Sequence, residues 1–227
     1  MTGTPPWTEE EAAILARLDA PWKIQEYLDN TPYNTDYQTR SPRRVLRDRC
    51  AHCCEGAIFA AAALRFHGHL PLILDLRAVD DDDHVIAVYR FRGRFGAVAK
   101  SNFSLLRFRE PVYLTYRELA LSYFEPYYNM LAERTLRSYS RPLDLSRYDS
   151  LHWMTTDEDL EWVGDRLNAL RHHEIADEET VQRYQPVDTL LYQAGLLGSD
   201  PVGLYKPLPP EQRRKASGNS VDVPAEG

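Results

Sequence analysis

Between Cys53 and Phe66 the chain reads CCEGAIFAAAALRF, an alanine-rich run that is apolar on almost every face. A helix with no polar face has to be enclosed by the rest of its protein. Gly68 supplies a natural stop for it. The next segment, LPLILDLRAV, is a short continuous apolar run of the kind that forms a buried strand. HVIAVYRF and RFGAVAK then read as two strands joined by a turn at Arg92-Gly93. A central helix followed by an antiparallel sheet predicts an α+β fold.

The flanking segments supply the remaining layers. Thr8 to Glu11 forms a capping box that opens a helix through about Leu18, and Pro21 starts a second helix over WKIQEYLD. Ser41-Pro42 caps a short basic helix. Its run Arg40, Arg43, Arg44, Arg47 and Arg49 reads as a solvated face. Beyond Phe103 helical signals prevail. Thr115 to Glu118 is another capping box, TTDEDLEWVGDRLNALRHH reads as an amphipathic helix ending at His172-His173, and a helical stretch follows over about 178–194, broken at Pro186. The organisation expected is a core over 1–110 with the N-terminal helices, a helical C-terminal region over 111–205 packed on it, and a disordered tail over 206–227.

Composition narrows the function classes. A formal net charge of −7 argues against a nucleic-acid partner. No stretch approaches the roughly 18 apolar residues of a membrane span, and MTGTPPWTEEEAA lacks the marks of a secretory signal. Cys50, Cys53 and Cys54 are odd in number and clustered, which suits reduced thiols in the cytoplasm better than a disulfide framework.

Cys53 stands where the buried helix begins. Unpaired backbone N–H groups and the macrodipole there favour negative charge, which lowers a thiol pKa and can hold an oxyanion. A thiolate nucleophile needs a proton acceptor that later acts as an acid, and histidine is the usual choice. His84, at the start of HVIAVYRF, is the candidate. His67 and His69 flank the far end of the helix, His52 is adjacent to Cys53 in sequence, and His152, His172 and His173 belong to the C-terminal part.

The order AHCCEGAIFAAAALRFHGHLP, then DDDHVIAVYRFRGRFGAVAKSNF, resembles the core of the transglutaminase-like (papain-like cysteine) superfamily over roughly residues 20–103. That resemblance implies a central buried helix packed on an antiparallel sheet, with the nucleophilic cysteine at the mouth of a helix that ends in a glycine near a proline. Counting back from Gly68 then selects Cys53, with Ala57 one turn inward. Cys54 points about 100° away around the helix, and Cys50 lies in the preceding loop. The resemblance also implies an Asp near the end of the following strand to orient His84. Phe95 to Asn102 carries no carboxylate. Asn102 is the candidate in its place, because a neutral amide can orient a cysteine-paired imidazole; strand parity argues equally for Ser101.

The rival chemistry is zinc. Cys50 and Cys53 make half of such a site, but His67 and His69 lie a helix length, about 20 Å, away. The expectation is therefore a cofactor-free Cys53–His84 site acting on a protein, peptide or small amide or thioester through a thioacyl intermediate. The alternative is a non-catalytic binding domain on the same fold, suggested by the missing Asp.

Overall fold

The computed structural model describes residues 7–208. Most of the tail expected at 206–227 lies outside them. Three short helices form first: α1 (Glu9–Arg17), α2 (Pro21–Asp29) and α3 (Pro42–Asp48). The Thr8 hydroxyl accepts from the Glu11 amide while the Glu11 carboxylate takes the Thr8 N–H, the reciprocal cap expected from the sequence. Pro21 and Pro42 occupy first turns, where a missing N–H costs nothing.

Helix α4 (Cys53–Phe66) is the axis of the molecule. From Ala57 to Leu64 no residue is more than 1% exposed. Each large apolar side chain buried there contributes about 1.5–3 kcal/mol. Gly68, at φ 88°, ends the helical run in a conformation other residues resist.

Seven antiparallel strands form one sheet: β1 (Leu72–Ala78), β2 (His84–Phe91), β3 (Arg94–Val98), β4 (Arg109–Tyr113), β5 (Leu136–Ser140), β6 (Leu143–Asp144) and β7 (His172–Glu174). The order is β4-β3-β2-β1-β5-β7, with β6 also on β1. Arg92 and Gly93, both at positive φ, make the tight turn between β2 and β3. The α+β expectation is met. One sheet face, with Ile73, Val85, Ala87, Tyr89 and Val98, packs against the α4 layer. The other, with Leu74, Leu76, Ile86, Val88 and Ala97, packs against Leu119, Ala120, Tyr123 and Tyr127.

The C-terminal region departs from the helical expectation. It does supply α5 (Tyr116–Leu121), α6 (Glu161–Ala169), α7 (Glu178–Val181) and α8 (Thr189–Leu196). It also supplies β5, β6 and β7, and β4 straddles position 110, so the sheet runs across the boundary drawn there. His172 and His173 are not in a helical last turn. Leu170 turns to extended geometry (ψ 153°), and His172 docks its ring on Asp75 of β1, Nε2 to Oδ2 at 2.9 Å. The arginine run also differs. Arg40 is 9% exposed, and its guanidinium meets Asp36, Asp48 and Glu55 at 2.7, 3.1 and 3.2 Å. Arg43 and Arg44 are half-buried, and only Arg47 and Arg49 of the run are exposed.

Candidate active site

The α4 start is built around a buried carboxylate. Glu55 is fully enclosed, yet its oxygens accept from the His52 N–H (2.7 Å), the Arg40 N–H (2.8 Å), Asn34 Nδ2 (2.9 Å) and Arg40 Nη1. The His52 ring in turn accepts from the Glu55 amide at 3.5 Å. A buried charge with that many donors is satisfied, and it pins the loop that delivers Cys53.

Cys53 is the first residue of α4, and its thiol donates to the Asp83 carbonyl at 3.7 Å. Burial pushes the thiol up to about 12, while the Val85 and Cys54 backbone amides pull the other way. His84 opens β2 and is 4% exposed. Its parity puts the ring with Ile86 and Val88, on the sheet face away from α4, edge-on to Tyr123 and Tyr127. Nε2 lies 2.8 Å from the Leu106 carbonyl. A carbonyl only accepts, so the neutral ring carries its proton on Nε2 and a lone pair on Nδ1. Among the described residues nothing hydrogen-bonds to that Nδ1. Burial drives the ring down to about 4, so it is neutral at pH 7.

The expected pair is therefore brought to one place without being joined. Cys53 and His84 line the same cavity of about 40 Å³, with Tyr33, Asp81, Asp82, Asp83, Ser101, Asn102, Tyr127, Gly203 and Tyr205 around it. The thiol bonds to backbone, and so does the ring. Neither Asn102 nor Ser101 meets the imidazole: Asn102 exchanges two hydrogen bonds with the Asp200 backbone, and Ser101 Oγ accepts from the Phe103 amide. Strand β3 ends at Val98, so the alternation from which both were read has lapsed before position 101. The Leu106 carbonyl orients the ring instead. A backbone atom leaves no mark in residue types, so no motif announces it.

Other neighbours were also hidden. Asp83 Oδ1 accepts from the Ala78 amide at 2.8 Å, and Asp81 from Thr135 Oγ1 at 2.7 Å, with burial raising Asp81 to about 6. Tyr127 donates to the Asp82 carbonyl at 2.7 Å. The acidic run was visible in the sequence, but its place beside Cys53 was not. His67 sits at the far end of α4 with Nε2 2.9 Å from the Leu15 carbonyl. Among the described residues no group of three or more His, Cys, Asp or Glu is placed to hold a metal ion.

A comparison with protein-family models finds none that matches the chain, and a comparison with curated proteins finds no match either. The functional reading therefore stands on the residues themselves.

Proposed function

We propose that this chain is a cysteine-dependent acyl enzyme that acts on an amide or thioester. The observation that carries the reading is the His84 ring: its Nε2 proton is committed to Leu106, and its Nδ1 lone pair is left without a partner beside the cavity that Cys53 also lines. In this reading the Cys53 sulfur bonds to the substrate carbonyl carbon while its proton passes to His84 Nδ1. The N–H groups at the α4 start hold the oxyanion. Collapse breaks the carbon–nitrogen or carbon–sulfur bond, and the leaving group takes the proton from His84. Water or an amine then attacks the thioacyl carbon, returning the thiol. The order of helix-start cysteine, histidine-led strand and antiparallel sheet is that of transglutaminase-like and papain-like cores, which supports the reading. Three free thiols suit a cytoplasmic setting. Among the described residues no helix is long and apolar enough to cross a membrane.

A second reading, a non-catalytic binding domain, draws on the thiol itself. A sulfur held up near 12 and bonded to a carbonyl is not poised as a thiolate. Alkylation kinetics separate the two. In the enzyme, His84→Ala slows the reaction of Cys53 with iodoacetamide at pH 7 by about tenfold or more. Equal rates for Cys53 in the wild type and His84→Ala favour the binding domain.

A further inference from the structure

The segment after α8 supplies part of the wall of the Cys53 cavity. Helix α8 is seated firmly, with Ser104 donating from its amide to the Gly195 carbonyl at 2.8 Å and Tyr128 from its hydroxyl to the carbonyls of Leu191 and Tyr192. The stretch beyond it is held differently. Asn102 Oδ1 accepts from the Asp200 N–H and Asn102 Nδ2 donates to the Asp200 carbonyl, both at 2.8 Å. The chain then turns through Asp200, Pro201, Val202 and Gly203, closed by Gly203 N–H to the Asp200 carbonyl at 3.1 Å. Gly203 and Tyr205 line the same cavity as Cys53 and His84.

Two features make this a recognition contact. A side-chain amide that takes both the N–H and the C=O of one residue reads backbone, not a side chain, so it accepts any peptide presented in that way. Gly203 adds a condition. A Cβ there would lie 2.8 and 2.9 Å from the Tyr33 ring and 3.1 Å from Asn102 Nδ2, closer than such contacts allow. The segment is only partly enclosed: Val202 is 76% exposed, and Leu204 and Tyr205 are half-buried. Among the described residues two hydrogen bonds from Asn102 tie its backbone to the rest of the protein, few enough for a competing peptide to replace.

We propose that Asn102 and Tyr33 form a peptide subsite beside Cys53, occupied in this structure by the chain's own Asp200–Tyr205, and that the substrate is a peptide turning at a glycine. The inference rests on the Cys53 reading above for the word substrate. Asn102 fixes the register of the peptide backbone, and Tyr33 rejects every residue larger than glycine at the turn. The chain's own segment competes for the place and keeps the thiol covered until a peptide displaces it.

The test uses the full-length chain and the rate of Cys53 alkylation by iodoacetamide at pH 9, read by mass spectrometry, where uncovering the buried thiol raises both its access and its ionisation. Gly203→Val unseats the segment and raises the rate about tenfold, the scale of two lost hydrogen bonds. Adding a synthetic SDPVGLYK peptide slows labelling of this variant towards the wild-type rate, and its glycine-to-valine counterpart does not. Should Gly203→Val misfold, Asn102→Ala removes both hydrogen bonds without adding bulk, and its labelling rises similarly. Unchanged labelling in a folded variant overturns the proposal, as does equal protection by the two peptides. The same comparison made in the His84→Ala background reads the segment without the base, so this result stands or falls separately from the effect of His84→Ala at pH 7.

Discussion

The Nε2 nitrogen of His84 lies 2.8 Å from the carbonyl oxygen of Leu106, and this one hydrogen bond sets the tautomer of a buried ring. An imidazole oriented by a carboxylate gains a partner for its charged form. One oriented by a carbonyl gains only a dipole. His84 is consequently held neutral, a base with a free lone pair and little tendency to keep a proton.

That depressed ring has a stability signature. Its folded value of about 4 lies below the ordinary 6.5, so the unfolded chain takes up the proton first as pH falls. The His84 contribution is whole above pH 6.5 and is lost progressively between about 6.5 and 4, to a limit of about 3 kcal/mol. Urea unfolding at pH 7.5 and pH 4.5 should show a smaller acid loss in His84→Asn than in the wild type. An equal loss in the two would refute the assignment.

Glu55 is the residue whose removal should cost the fold most. In Glu55→Ala the His52 and Arg40 amides and Asn34 Nδ2 lose their acceptor, while the Arg40 guanidinium keeps Asp36 and Asp48. Leaving three buried donors unpaired, at about 1–3 kcal/mol each, lowers the thermal midpoint of a chain of this size by roughly 10 °C. Calorimetry reads that shift directly.

Gly56 sets two rules against each other. Alanine in mid-helix is worth about 1 kcal/mol over glycine. A Cβ at position 56, however, would lie 2.2 Å from the Cβ of Lys100, whose ammonium is anchored on the carbonyls of Leu28 and Thr31. Overpacking of this kind costs about 1–3 kcal/mol, so Gly56→Ala should destabilise. Lys100→Gly removes the obstructing atom, and a double-mutant cycle in urea should then find the Gly56→Ala penalty abolished or reversed.

His172→Ala should strand Asp75, which is 1% exposed and whose carboxyl is raised chiefly by burial. The loss is expected to be about 3 kcal/mol at pH 8. It should shrink towards pH 4, because a protonated Asp75 no longer buries an unpaired negative charge. A loss that is constant across that range would mean that His172 matters through packing alone.

What the sequence made legible was local. The Thr8–Glu11 cap, the Gly68 stop and the Arg92-Gly93 turn are each decided within a few residues, and each stands where the pattern put it. Strands β5 and β7 were not legible, because their pairing with a distant β1 makes them strands. His172 read as a helix end until Asp75 claimed it. Arg40 read as solvated because its partner, Glu55, was hidden in an otherwise apolar helix. At the site, residue types located Cys53 and His84 in one cavity but not their contacts. Asn102, the sequence candidate for orienting the ring, instead holds Asp200, since parity cannot be carried past the end of a strand.

Helix α4 is sheathed along its flanks, so it meets the outside world only endwise. A reactive group moved one turn inward would be walled off by its own protein, and one moved outward would leave the helix. Position 53 is thus less a choice among many than one of the two ends that this way of building a core leaves, Phe66 at the other being 37% exposed.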